Sequence, residues 1–282
     1  NDVSLLTFVP FTFVVLSRLG ADVRRALLIP VVCMQTIAAN LGSMLTPIGN
    51  PQNLYLYGKS GMSIGGFVLL MLPYTLVSLL LLLAWAAMVC RKNSAALSVD
   101  ELVSSSASQG DQKIILLYLV LFAVCLLSVI RVLPYGIAFA AVLVCALFAD
   151  SRTLRAVDYS LLLTFVAFFI FIGNLGRVPA FSGWLQEFLT GREVLVAVLA
   201  SQVTSNVPAA LLLSGFTAET QALIIGTNLG GLGTLIASMA SLISYRQIAR
   251  ELPQGKKQYF GLFTLSNLIF LALLLGVWFL LR

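Results

Sequence analysis

The feature that most constrains this chain is its succession of long apolar runs, at approximately 3–17, 26–57, 66–90, 114–130, 134–149, 159–175, 193–214, 220–243 and 259–281. A helical run of about 20 apolar residues matches the hydrocarbon thickness of a bilayer. Charged side chains make up only 10% of the chain, against about 25% in ordinary soluble domains. There is too little polar surface to cover a water-soluble globule of 282 residues. Backbone in lipid must satisfy its own hydrogen bonds, so the runs read as helices. The expected class is an all-α polytopic protein of the plasma (inner) membrane. A soluble enzyme, a secreted disulfide scaffold and a disordered regulator are excluded.

Three runs are interrupted. The run 26–57 carries Asn40-Leu41-Gly42 and then Thr46-Pro47-Ile48-Gly49-Asn50-Pro51-Gln52-Asn53. The run 193–214 carries Ser201-Gln202-Val203-Thr204-Ser205-Asn206-Val207-Pro208, and 220–243 contains Thr227-Asn228-Leu229-Gly230-Gly231-Leu232-Gly233-Thr234. Polar, Gly- and Pro-rich backbone at membrane depth is tolerated only where it lines a protected or watered cavity. Discontinuous helices of this kind build binding sites in secondary transporters.

The segment 91–113 is serine-rich and charged, and reads as a solvated cytoplasmic linker between two halves. The first, 1–90, holds a hairpin arm, a broken helix and a full span. The second, 114–282, holds three scaffold spans, a hairpin at 193–214, a broken helix at 220–243 and a final span. An offset of 188 aligns Asn40/Asn228, Leu41/Leu229, Gly42/Gly230, Thr46/Thr234, Ile48/Ile236 and Leu54/Leu242. An offset of 204 aligns Asp2-Val3 with Asn206-Val207, and the difference of 16 predicts a longer connector in the first half. The opening Asn1-Asp2-Val3, without Met or charged leader, reads as a piece whose upstream part is missing. A working site is expected to need that part.

Charge selects the topology. If 193–214 crossed the membrane once, the 17 basic residues would divide 9 against 8. A re-entrant hairpin with its tip at Ser205-Asn206 instead puts Arg18, Arg24, Arg25, Arg91, Lys92, Lys113, Arg152, Arg155, Arg246, Arg250, Lys256 and Lys257 on one side. Only Lys59, Arg131, Arg177, Arg192 and Arg282 remain on the other. That asymmetry follows the positive-inside rule and makes the richer side cytoplasmic. As a helix, Glu193–Gln202 spans about 15 Å, half a bilayer core. The expected architecture is therefore a pair of inverted repeats, each with a re-entrant hairpin and a broken transmembrane helix.

The four polar breaks are expected to converge near the midplane. Helix ends leave backbone groups without partners. Freed carbonyls with Asn, Ser and Thr side chains suit a small cation such as sodium, while half-helix N-termini favour an anion. The candidates are Asn1, Asp2, Asn40, Gly42, Thr46, Gly49, Asn50 and Asn53 from the first half. From the second come Thr204, Ser205, Asn206, Pro208, Asn228, Gly230, Gly233 and Thr234. Asn1, Asn50, Ser205 and Asn206 are the candidate sodium ligands. Small residues elsewhere, such as Gly66, Ser128, Gly136 and Ser160, read as helix-packing positions. Asp2 is the one acid placed deep, a candidate proton carrier or cation ligand. Its counterpart is Asn206, so a titratable role belongs to one half only. No Lys or Arg lies in the breaks, which leaves backbone dipoles, amides, hydroxyls and a co-bound cation to hold an anion.

Other chemistry finds no support. Histidine is absent, which excludes Ser/His proteolysis and His-ligated zinc or haem. Cys33, Cys90, Cys125 and Cys145 show no C-x-x-C spacing and read as small core hydrophobes. The net charge of +6 is first a topology signal, and the scattered basic residues form no nucleic-acid surface. No pair of deep acids and no phosphate loop is present, so no enzyme is expected, and no cofactor beyond the sodium ion.

Asn1-Asp2-Val3 with Val9-Pro10, Ala39-Asn40-Leu41-Gly42-Ser43 to Pro51-Gln52-Asn53, Ser205-Asn206-Val207-Pro208-Ala209 and Thr227-Asn228-Leu229-Gly230 resemble the ion transporter superfamily. Its members include citrate transporters, divalent anion:sodium symporters, arsenite permeases and related sodium/proton antiporters. Asp158-Tyr159-Ser160, followed by Phe165 to Gly173, is similar to the scaffold helix before the second hairpin of that group. In the symporters, hairpin-tip Ser-Asn-Thr motifs bind sodium and substrate carboxylates. Here Ser205-Asn206 keeps two positions and Val207 replaces Thr, while Asn1-Asp2-Val3 departs further. The resemblance implies a homodimeric anion permease with elevator-like alternating access, driven by sodium or protons. A sodium/proton antiporter using Asp2, an arsenite-type permease, and a non-transporting scaffold or receptor on the same fold are the competing readings.

Overall fold

The computed structural model describes residues 1–93, 112–149, 159–175 and 177–282, with Leu154 and Val157. Most of the expected linker, together with Arg152, Arg155 and Asp158, lies outside the described residues. The chain divides into two compact units, one of residues 1–99 and 168–282 and one of residues 100–167.

In the larger unit, α1 (Asp2–Ser17) is followed by α2 (Ala21–Ser43), a 3-10 turn (Pro47–Gly49), α3 (Pro51–Ser60) and α4 (Ile64–Asn93). The smaller unit contains α5 (Gln112–Val129) and α6 (Tyr135–Ala149), which pack on each other. At 1.5 Å per residue these two helices are about 27 and 22 Å long, shorter than a bilayer core of about 30 Å. α7 (Tyr159–Leu175) and α8 (Pro179–Leu189) meet at an angle of 100°. Then come α9 (Glu193–Thr204), α10 (Asn206–Leu213), α11 (Thr220–Leu229), α12 (Met239–Glu251) and α13 (Lys256–Leu281). Among the described residues three helices are long and apolar enough to cross a membrane, at Val23–Ser43, Ile64–Lys92 and Pro253–Leu281, and a fourth if α7 and α8 form one bent span. The molecule is an all-α, polytopic membrane protein.

Local chemistry explains where the helices stop. Proline lacks an amide proton, and its ring clashes with the carbonyl four residues earlier. α2 accordingly ends at Ser43, four residues before Pro47. Asn40 and Gly42, expected to interrupt the run, stay inside α2, because a lone Asn or Gly costs a helix only about 1 kcal/mol or less. Thr227 and Asn228 likewise stay inside α11, and the second break begins at Gly230. In that break Gly233 has φ 109, a conformation L side chains rarely adopt. Asn50 (φ −143, ψ 150) and Ser238 (φ −143, ψ 140) end the two breaks in matching extended geometry, immediately before α3 and α12.

The 16-residue difference between the halves is not a longer connector. Residues 18–20 join α1 to α2 and 214–219 join α10 to α11, so the extra length lies in the helices, 16 and 23 residues against 8 and 10. α8 was not anticipated either. The sequence carries a signal for it in Pro179 at its first position and in Leu185 and Leu189, one turn apart, which form its buried edge.

Packing gathers around α1, α2, α12 and α13. Leu5, Val9, Phe13 and Leu16 present one face of α1 to Leu28, Val32 and Cys33 of α2 and to Ala240, Ile248, Tyr259 and Phe263. Lipid is as apolar as leucine, so such helices associate through close packing and polar bonds. The contact of α11 with α9 illustrates this. A Cβ on Gly226 would lie 2.7 Å from the Ala197 Cβ, and one on Gly230 would lie 2.6 Å from the Ser201 Oγ. Two glycines one turn apart thus bring the helices together.

Polar contacts tie both ends of the 193–214 segment to helix ends. The Lys59 Nζ donates to the Ser214 carbonyl, and the hydroxyls of Tyr55 and Ser214 are hydrogen-bonded at 2.9 Å. The Arg282 Nη2 donates to the Gly191 carbonyl at 3.4 Å.

Candidate functional site

A network of amide side chains occupies the first break and crosses to the second half. The Asn1 Nδ2 donates to the Asn50 Oδ1 at 2.7 Å and the Asn40 Oδ1 at 3.1 Å. The Asn50 Nδ2 donates to the Ser43 Oγ at 2.7 Å, and that hydroxyl donates to the Asn40 carbonyl at 2.8 Å. From the second half, the Ser238 hydroxyl donates to the Asn40 Oδ1 at 2.9 Å. The Asn228 Nδ2 donates to the Asn53 Oδ1 at 2.6 Å. The Asn53 Nδ2 in turn reaches the carbonyls of Ser43 and Thr46 at 3.5 and 3.4 Å. Asn40, Asn50, Asn53, Asn228 and Ser238 are all buried.

The network is left open at three buried atoms. Among the described residues, the Asn1 Oδ1, the Asn40 Nδ2 and the Asn228 Oδ1 have no hydrogen-bond partner. A buried polar group without a partner costs about 1–3 kcal/mol, so each marks a place where a ligand atom would be welcome. Two are amide oxygens, hard donors of the kind that hold sodium or another hard cation. The third is an amide nitrogen, a donor for a carboxylate oxygen.

The second break is organised differently. The Gln202 Nε2 donates to three carbonyls, those of Val198 at 3.2 Å, Gly230 at 3.0 Å and Leu232 at 2.9 Å. Its Oε1 accepts the Thr234 amide at 2.9 Å, and the Thr234 hydroxyl donates to the Gln202 carbonyl at 3.1 Å. Beside it, Ser205 sits between α9 and α10 with φ 74. The Asn206 amide donates to the Ala237 carbonyl at 2.9 Å, which also accepts the Ser205 hydroxyl at 3.4 Å. Ala237 precedes Ser238, so one short stretch of backbone touches both the hairpin tip and the first-break network.

The sequence candidates therefore separate. Asn1, Asn40, Asn50, Asn53 and Asn228 share one network. Ser205, Asn206, Gly230 and Thr234 gather on the loop 230–238. Of the candidate sodium ligands, Asn1 and Asn50 bond directly, while Ser205 and Asn206 attach to the other loop. Thr46 is exposed and contributes its carbonyl; Thr204 is exposed and bonds back to the Ala200 carbonyl at 2.9 Å. Gly49 is required by shape, since a Cβ there would collide with the Ser43 carbonyl. Gly42 has open space at its Cβ position, and Pro208 lies in the first turn of α10, where a missing amide proton is harmless. Asp2 is half-buried in the first turn of α1, and its carboxylate makes no hydrogen bond. Three participants were not among the candidates: Ser43, Gln202 and Ser238. Gln202 was visible as the one long amide within its polar run; the other two differ from ordinary membrane serines only by their place beside a break.

Comparison with known proteins identifies the family. Residues 1–223 match the profile of the citrate transporter family, CitMHS. The chain is 34% identical over 254 residues to the inner membrane protein YbiR of Escherichia coli, an overlap of 87% of this chain and 64% of that protein. It is 32% identical over 246 residues to the uncharacterized transporter MJ0456 of Methanocaldococcus jannaschii, covering 87% of this chain and 65% of the relative. The chain thus spans a little under two thirds of the length of these relatives. One relative is named as an inner membrane protein and the other as a transporter, and this multi-pass plasma-membrane protein belongs to the citrate transporter family.

Proposed function

We propose that this chain forms the substrate-binding core of a secondary active transporter for a small anion, a carboxylate such as citrate or a dicarboxylate, driven by a sodium or proton gradient. The observation that carries the reading is the network of buried amides between the two breaks, with donor and acceptor atoms left open in an otherwise apolar molecule. The Asn40 Nδ2 with the N-terminal ends of α3 and α12 would meet the anion. The Asn1 and Asn228 Oδ1 atoms would meet a coupling cation, and the tip residues Ser205 and Asn206 would close the second side.

The same reading takes the two halves as inverted repeats with re-entrant hairpins. In its favour, α1 and α10, α2 and α11, α3 and α12, and α4 and α13 occur in the same order around the breaks, and Asn50 and Ser238 share their backbone geometry. Elevator-like movement of hairpins and broken helices within a homodimer follows from the resemblance to the ion transporter superfamily.

The test is uptake by proteoliposomes of radiolabelled citrate, succinate and sulfate, with and without an inward sodium gradient. Sodium-stimulated uptake of one of these, lost in Asn206→Ala, is the expected result. No uptake, with sodium-induced proton efflux from acid-loaded vesicles that Asp2→Asn abolishes, would replace the symporter by an antiporter.

A further inference from the structure

Outside the amide network, a concavity lies between α4 and α13, which pack against each other. It encloses about 280 Å³ and is lined by Trp85 and Met88 of α4 and by Leu265, Ile269, Phe270 and Leu273 of α13. Trp85 and Phe270 meet at 6.2 Å between ring centroids, while Met88, Leu265 and Ile269 are exposed. The polar lining group, the Ser266 hydroxyl, is spent on the carbonyls of Leu262 and Phe263 at 2.7 and 3.0 Å. Apart from the Trp85 indole N–H, a polar solute would find nothing to bond here. The lining residues Leu262 to Leu273 extend about 16 Å along α13, a narrow apolar slot suited to an extended hydrocarbon chain.

One end of the slot is basic. One turn beyond Met88, α4 finishes on Arg91 and Lys92, and α13 opens with Lys256 and Lys257 less than two turns before Leu262. All four side chains are exposed. The last turn of α4 and the first turn of α13 contain no acid. A general excess of basic residues on one side of the membrane would place them on any of its loops. Here they sit on the two helix ends that frame the groove.

We propose that this groove is a binding site for an anionic phospholipid, with an acyl chain between α4 and α13 and the headgroup phosphate among Arg91, Lys92, Lys256 and Lys257. Basic residues framing an apolar cleft at the membrane surface favour anionic headgroups, each engaged residue raising affinity about fivefold. A zwitterionic lipid can fill the slot, but its own ammonium offsets that gain.

Trp85 reports occupancy directly. The protein is reconstituted in phosphatidylcholine bilayers containing small fractions of acyl-brominated phosphatidylglycerol or acyl-brominated phosphatidylcholine. Quenching at Trp85 is taken as the difference between the protein and its Trp85→Phe variant. Half-maximal quenching is expected at a mole fraction of the brominated phosphatidylglycerol lower by at least about fivefold, the gain from a single engaged basic residue. In Arg91→Gln/Lys92→Gln/Lys256→Gln/Lys257→Gln, whose exposed positions leave the packing untouched, the preference is expected to vanish while quenching by either lipid persists. Equal quenching by both lipids in the unaltered protein would overturn the proposal. So would absence of quenching by either, with Met88→Cys protein cross-linking as pairs, which would put a second copy in the groove.

Discussion

At the scale of single residues, one side chain shapes the second break. Gln202 holds three carbonyls and one amide of the surrounding backbone, so its loss strands several polar groups at once. Gln202→Ala is expected to lower stability by about 1–3 kcal/mol, read by thermal unfolding of the purified protein. Gln202→Glu should fare no better, because a carboxylate cannot donate to the carbonyls of Gly230 and Leu232. An unchanged unfolding temperature in both variants would show that the loop 230–234 is held by other means. The amides most active in the structure were legible in part. Asn40, Asn50, Asn53, Asn228 and Asn206 stand out in the sequence because Asn is costly in an apolar run. Their partners were not legible: Asn228 meets Asn53 and Asn40 meets Ser238, pairings set by how the helices pack and not by spacing along the chain.

At the scale of elements, the breaks are short and their shape is imposed by backbone crowding. A Cβ on Gly49 would strike the Ser43 carbonyl, and one on Gly233 would strike the Gln202 Oε1 while forcing φ 109 on an L residue. Gly49→Ala and Gly233→Ala are therefore expected to destabilise the protein by more than about 1 kcal/mol. Gly20→Ala and Gly261→Ala, with open space at their Cβ positions, should leave the unfolding temperature nearly unchanged. Equal behaviour of the four variants would contradict this account of the breaks. Most helices could be anticipated because apolar runs and proline act locally. α8 could not, since an 11-residue amphipathic helix carries too few apolar residues to register as a run. Its Phe181 packs 5.9 Å from Phe216, and Trp184 stacks 5.6 Å from Phe188, long-range and local contacts that together fix it beside the end of the hairpin. The exact span of the breaks also escaped sequence reading, because Asn40, Gly42 and Asn228 tolerate helix where the neighbouring Pro47 and Gly233 do not.

At the scale of the whole molecule, the charge asymmetry that selects the topology meets contacts of the same sense. Lys59 and Arg282 fall on the basic-poor side of the expected topology, and they bond to Ser214 and Gly191, at the two ends of the 193–214 segment. Cysteines placed at the exposed positions 191 and 218, in protein whose own cysteines are serine, are expected to react with a membrane-impermeant maleimide from the outside of intact cells. A cysteine at Lys92 or Lys256 should react only after the cells are opened. Labelling of 191 and 218 from opposite sides would mean that the segment crosses the membrane. The proposed substrate position is narrower, where Ser205 and Asn206 meet the two breaks. Its most direct test is substrate protection at the tip, with Ser205→Cys as the sole cysteine in reconstituted protein and a small methanethiosulfonate reagent as probe. Citrate with sodium is expected to slow labelling at position 205 several-fold, while leaving unchanged the labelling of a protein that retains only the exposed Cys90. Undiminished labelling at 205 under conditions where the same protein takes up citrate would place the substrate elsewhere.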